Sequence, residues 1–373
     1  MPARCDGKMK KIYGWNYYCE KILRKNETYI ENSLEIKEKS YFAFEIRDRG
    51  KVRELHQVDR ESGLYQLQNN LNKNLLSRIP LSKAAVGFVK GKSYQEYLRP
   101  HCGKHFHMRL DIRHFFDNVT EEQVVKSLEE FVQDEEIRIN IGQITTLNGC
   151  LPQGAITSPA MSNIVFRQID QRILKYCQTI RTVKKERNIE YDDIIYTRYA
   201  DDMMFSSDYL DFRKKLSFYK MVKHILLENG FHLNHDKTYM TEGEISLSGF
   251  VAGGDEHGCV VRPSRKRMSE INRVLNYFDE RGTIDGSPYQ VDVEKVKDPQ
   301  VVDKINALFS MGQFVRFNNK KSVINYLCGY RAFLITFLKG ENDKTSQLKA
   351  LKRKIGNLEK LIDQCQKWWF GFE

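Results

Sequence analysis

Residues 194–207 read IIYTRYADDMMFSS. The flanks are apolar, β-branched and aromatic, the composition of two strands, and Asp201 and Asp202 stand side by side between them. Taking one unpaired carboxylate out of water is costly, and two adjacent ones also repel each other. A cation is needed to offset both effects. Neighbouring residues of a regular strand point to opposite faces, so the two acids reach one cation only if the chain turns tightly at Ala200-Asp201-Asp202. The stretch therefore predicts a hairpin with an acidic tip.

A third carboxylate makes the pair interpretable. Asp111, in RLDIRHFFDN (109–118), sits in an equally apolar, strand-like setting. Three convergent acidic oxygens suit Mg²⁺, a hard cation that keeps part of its water shell and completes it with substrate phosphates. Two such ions, about 3.5–4 Å apart, stabilise the attacking and leaving oxygens of an in-line phosphoryl transfer.

The surrounding chain supplies a mixed helix and strand frame. Residues 16–38 have helical spacing, and SYFAFEIRDRGKVRELHQV (40–58) reads as two strands around the turn signal Asp48-Arg49-Gly50. Leucines at 64, 67, 71, 75 and 76 mark a helix, and AAVGFVKGKS (84–93) is a basic loop punctuated by glycines. In TEEQ (120–123) the pattern is that of a capping box opening a helix over about 121–132. LPQGAITSP (151–159) is a turn-rich loop before a helix, 210–228 reads as another helix, and 230–254 as further strands. From about 262 the chain turns helical and rich in Lys and Arg, with SQLKALKRKIGNLEKLIDQC (346–365) the most regular part.

Composition narrows the class. A chain of 373 residues with 41% hydrophobic and 12% aromatic side chains is long enough for two or three units with real cores. A net charge of +11 points to nucleic acid or another anionic partner. No run approaches the roughly 20 apolar residues of a membrane helix, so no membrane partner is expected. The eight cysteines are scattered without a C-x-x-C pair, which fits free thiols in a reducing cytoplasm better than disulfides or zinc.

YADD at 199–202 resembles the Tyr-x-Asp-Asp signature of reverse transcriptases. It stands in order with LDIRHFF (110–116), LPQGAITSPAMSN (151–163), GFHLNHDKT (230–238) and LSGF (247–250). Upstream, GKVRELHQV (50–58) and GFVKGKSYQEYLRPH (87–101) resemble finger motifs of the bacterial, retron-type branch. The resemblance covers about residues 40–260. It implies an α+β, right-hand polymerase with fingers at 1–105, a palm at 106–256 whose antiparallel sheet carries the YADD hairpin, and a helical thumb from 257.

The resemblance also implies roles. Asp111, Asp201 and Asp202 match the catalytic triad that holds two Mg²⁺ ions, with the Ile112 carbonyl as a further ligand; Asp201 is expected to be the stronger ligand and Asp202 to lie nearer the primer end. Phe116 matches the aromatic gate that collides with a ribose 2′-OH. Gln153 matches a contact to the incoming nucleotide, Lys51 and Arg53 match finger cations on the triphosphate, and Lys237 matches a lysine near the leaving pyrophosphate. His101 is expected to contact RNA. Arg265, Lys266 and Arg267, in SRKRMSEINR, are expected to meet the template–primer backbone.

The implied partners are a structured noncoding RNA that serves as template and primer, its cDNA, dNTPs, and an effector protein encoded nearby in antiphage defence. Two stretches depart from the retron pattern: Tyr97-Leu98-Arg99-Pro100-His101 replaces Asn-Ala-x-x-His, and Leu247-Ser248-Gly249 replaces Val-Thr-Gly. They leave open another defence-associated or group II intron-like reverse transcriptase, or an RNA-binding scaffold. GGDEHG (253–258) resembles a diguanylate cyclase signature without its phenylalanine and reads as a loop before the thumb; KWWFGFE (367–373) is expected to pack on the thumb core.

Overall fold

A computed structural model of the chain describes residues 11–48, 51–186, 194–255, 258–282, 288–309, 316–338 and 346–371. They form two units, one running to Glu244 and one starting at Ile245.

In the first unit, β1 (Tyr41–Asp48) and β2 (Lys51–Val58) pair antiparallel from Tyr41↔Val58 to Asp48↔Lys51, the two strands expected over 40–58. The central sheet has four strands: β3 (Phe106–Asp111), β4 (Ile195–Tyr199), β5 (Asp202–Ser207) and β6 (Tyr239–Glu242). Their order is β4-β5-β3-β6 and every pairing is antiparallel. Alternation along these strands sorts the side chains onto two faces. Met108, Leu110, Met203 and Phe205 occupy one face and are fully buried in the core shared with Phe166 and Ile173 of the long helix Ser158–Glu186. His107, Arg109, Asp111 and Asp202 occupy the other.

Two helices are shorter than their sequence patterns. The capping box of Thr120 and Gln123 forms in both directions, but its helix ends at Ser127. The next turn is taken by tertiary pairing, with Ile12 bonded to Phe131 and Gln133 on either side. The helix expected over 210–228 begins at Leu216, because Asp211 caps the backbone N–H of Arg213 and grips its guanidinium instead of continuing a helix.

The second unit holds a three-stranded antiparallel sheet of β7 (Ile245–Leu247), β8 (Phe250–Asp255) and β9 (Gly258–Pro263), followed by helices. Its core joins Ile271, Val274 and Phe278 of the helix Arg265–Phe278 to Leu327, Leu358 and Leu361. The unit boundary falls at 244/245 rather than at the 256/257 expected for palm and thumb, since β7 pairs only with β8 within its own sheet. GGDEHG is corrected from a loop to part of a hairpin: Gly253 and Gly254 pair with Val260 and Cys259, while Glu256 and His257 lie outside the described residues. Of the terminal aromatics, Trp369 is docked by its indole N–H on the Val296 carbonyl, and Trp368 is 44% exposed.

Candidate active site

The acidic hairpin is held from beneath. β4 and β5 pair as far as Tyr199↔Asp202, leaving Ala200 and Asp201 as a two-residue loop. Ala200 takes φ +55°, a left-handed conformation that costs a non-glycine residue about 1 kcal/mol or more and persists only when surroundings enforce it. Arg198, fully buried on the core face, supplies the enforcement: its Nη1 donates to the Ala200 carbonyl at 3.1 Å. Its Nε and Nη2 grip both oxygens of Asp170 at 3.0 and 2.9 Å, and Tyr196 Oη donates to the same carboxylate at 2.7 Å.

The hairpin is also held from the side. Arg198 N donates to Ala84 O at 2.7 Å and its carbonyl accepts from Val86 N at 2.8 Å. Gly87 then lies so close that a Cβ there would stand 2.7 Å from Ala200 N and 3.0 Å from Tyr199 Cα, both backbone atoms that cannot swing aside. Gly87→Ala is expected to displace the YADD turn and lower nucleotide incorporation about tenfold or more, with a smaller loss of thermal stability. Steady-state primer extension beside a thermal melt checks this; unchanged incorporation would mean the turn is not held from this side.

The strand register brings the expected acids together. Asp111 lies directly opposite Asp202 across β3 and β5, which places their Cβ atoms about 4.5–5.5 Å apart. Ile112, itself buried, donates its N–H to the Asp201 carbonyl at 3.0 Å. Lys237, in a short turn after Asn234, reaches Asp111 Oδ2 at 2.7 Å. The other oxygen, Oδ1, is buried without a partner. Arg109 donates through Nε and Nη2 to Asp202 Oδ1 at 2.9 and 2.6 Å. Burial, then the charges of Asp202 and Asp111, push the Asp201 carboxyl up to about 6; burial also raises Asp202, against the pull of Arg109.

Among the described residues no three acidic or metal-binding side chains already close around an ion position. Yet the donor set is hard oxygen, one buried oxygen is orphaned, and the carboxylates destabilise one another. Those features fit divalent cations, with Arg109 and Lys237 meanwhile balancing two of the three charges.

The remaining expected residues divide. Phe116 is half-buried, 6.2 Å ring to ring from Phe88, whose own ring is 6.3 Å from Tyr199; these aromatics wall one side of the YADD turn. Phe88 is 47% exposed at φ +61°, a position that sequence reasoning treated only as part of a loop. Gln153 accepts at its backbone carbonyl from His56 N at 2.8 Å, which docks the LPQG loop on β2. Lys51 and Arg53 are the first and third residues of that strand, and their side chains lie outside the described residues.

His101 is corrected. It is fully buried, its Nδ1 and Nε2 lie 2.7 and 2.8 Å from Ser206 Oγ and Thr197 Oγ1, and burial lowers its pKa to about 3. It pins its segment to the sheet and has no edge left for RNA. Arg265 and Lys266 are exposed, whereas Arg267 lies over the Tyr330 ring and 3.6 Å from Glu270. The Arg198–Asp170 pair, Gly87 and Arg109 had no recognised role in the sequence.

An antiparallel sheet that gathers carboxylates from two adjacent strands beside an aromatic wall is an arrangement that could serve a metal-assisted nucleotidyl transfer. The chain belongs to the reverse transcriptase (RNA-dependent DNA polymerase) family, whose pattern matches residues 56–258, over half of its length. It is similar to the Retron Ec86 reverse transcriptase of Escherichia coli, 25% identical over 243 residues that cover 64% of this chain and 70% of that protein. It is also similar to the Retron Mx65 reverse transcriptase of Myxococcus xanthus, 30% identical over 217 residues, 53% of this chain and 47% of that one, so it spans under half of that relative's length. Among solved structures, apo telomerase from Candida tropicalis is 11% identical with a TM-score of 0.42, covering 87% of this chain and 62% of that one. All described cysteines are free thiols, and no described helix is long and apolar enough to cross a membrane.

Proposed function

We propose that the protein copies a structured noncoding RNA into cDNA, joining a primer 3′-OH to the α-phosphate of a dNTP with loss of pyrophosphate. The observation that carries this reading is the register pairing of Asp111 with Asp202 at the mouth of a two-residue turn that presents Asp201. Asp111, Asp201 and Asp202, with the Ile112 carbonyl, would hold two Mg²⁺ ions. Bound there, the ions supply charge stabilisation to the attacking and leaving oxygens. Lys237 would leave Asp111 for the pyrophosphate, where its ammonium stabilises charge or gives a proton. Gln153, together with Lys51 and Arg53 on the strand to which its loop is bonded, would orient the triphosphate. Arg265 and Lys266 offer exposed cations to a nucleic-acid backbone.

Likeness to retron enzymes supports RNA from the same locus as template and primer, an effector protein as partner, and a cytoplasmic role in antiphage defence. Sequencing nucleic acid that co-purifies with the protein tests this. Covalently linked RNA–DNA is the expected result; intron RNA would mean a maturase, and RNA without cDNA a scaffold.

Phe116 is the proposed barrier to ribonucleotides. Phe116→Val is expected to raise incorporation of rNTP relative to dNTP by roughly tenfold or more, since one steric clash is worth about 1–3 kcal/mol. Single-nucleotide extension with each substrate measures the ratio, and an unchanged ratio would remove the gate assignment.

A further inference from the structure

Arg109 lies two residues before Asp111 on β3 and therefore on the same face of the sheet. Its register partners are Met204 on β5 and Tyr239 on β6, neither of which offers it a charge. The guanidinium instead runs along the sheet to Asp202, and the side chains are only 23% and 17% exposed. Both donors, Nε at 2.9 Å and Nη2 at 2.6 Å, converge on the single oxygen Oδ1. Arg109 thereby leaves Oδ2 of Asp202 unclaimed. Lys237 treats Asp111 in the same way, taking Oδ2 and leaving Oδ1 buried without a partner. Two carboxylates that stand opposite each other across the strands are thus each clamped through a single oxygen.

We infer that Arg109 is a positioning residue for Asp202, holding its carboxylate beside Asp111 so that the pair would be ready to bind a divalent cation. The inference rests on the two-metal polymerase reading. Without the clamp, repulsion from Asp111 and Asp201 would turn the Asp202 carboxylate outward, and an ion would have to draw it back before binding. A planar guanidinium suits the task because two donors fix both the position and the rotation of the acceptor, which a lysine does not. Groups that orient a metal ligand in this way are typically worth about 10- to 100-fold in metal affinity or activity.

The test is thermal melting of the full chain at increasing MgCl₂, with Arg109→Leu and Arg109→Lys beside wild type. Arg109→Leu is expected to move the Mg²⁺ concentration for half-maximal stabilisation up about tenfold, with Arg109→Lys between it and wild type. In primer extension, kcat for Arg109→Leu should fall about tenfold while the dNTP KM moves less than about threefold, a split that loss of packing alone does not produce. Should the leucine variant fail to fold, Arg109→Gln keeps the length and polarity without the charge. An unchanged Mg²⁺ midpoint in a folded Leu or Gln variant overturns the inference whatever happens to kcat. A wild-type protein with neither a Mg²⁺ shift nor dNTP incorporation would instead sink the polymerase reading and this inference with it.

Discussion

With Asp201 and Asp202 both replaced by alanine, dNTP incorporation on an RNA template should fall by about three orders of magnitude or more, roughly 4 kcal/mol of barrier. The fold should survive. Ionised Asp201 is destabilising without metal, because burial and the charges of Asp202 and Asp111 raise its carboxyl from 3.8 to about 6. A raised folded value means that stability is fully present below the unfolded value and is lost as pH rises through about 6. Neutralising this residue should therefore stabilise the metal-free protein at pH 7, by about 2 kcal/mol once partial exposure is discounted, and should flatten the pH 4–6 part of the stability curve. Asp201→Asn isolates that effect without a cavity. Mg²⁺ should raise the melting temperature of wild type and not that of the alanine pair. Incorporation within tenfold of wild type would remove these acids from the reaction, and an alanine pair that melts far below wild type at pH 7 would overturn the claim that ionised Asp201 is destabilising.

The parts of this site visible in sequence are those written in local pattern. Apolar alternation around Asp201 and Asp202 announces two strands, and the adjacency of the acids forces a turn, which Ala200 makes by adopting φ +55°. Asp111 was legible because its own stretch repeats the same contradiction of a carboxylate among apolar residues. What stayed hidden depends on residues far apart in the chain. His101 looked like a free ligand because its partners, Thr197 and Ser206, arrive from a hairpin about a hundred residues on. Arg198 and Asp170 each read as ordinary charges on a strand and a helix; only the packing of helix on sheet makes them one buried pair. Gly87 passed as loop punctuation, since nothing nearby in sequence says that another backbone will come within contact of its Cα. GGDEHG read as a loop because it is a run of turn residues, yet Gly253 and Gly254 pair across to Val260 and Cys259 of β9.

That buried pair carries the second large effect. Asp170→Ala leaves the Arg198 guanidinium charged, fully buried and stripped of its counter-ion, and removes the acceptor of Tyr196 Oη. Losing one partner of such a pair costs about 3–5 kcal/mol, or roughly 10 °C in melting temperature for a unit of this size. Replacing both, as Asp170→Leu with Arg198→Met, should recover most of that loss, because apolar residues of similar volume tolerate the core that a lone charge does not. Activity should not recover in step. The methionine cannot donate to the Ala200 carbonyl, so the left-handed turn loses the bond that enforces it and Asp201 moves relative to Asp111. A displacement near 1 Å at reacting groups is worth about a hundredfold in rate. The double variant is therefore expected to melt near wild type while extending primers about a hundredfold more slowly, and melting curves with single-turnover extension measure the two separately. If it extends at the wild-type rate, the ion pair serves only the core; if rate and stability fall together in every variant, the YADD turn has no independent dependence on Arg198.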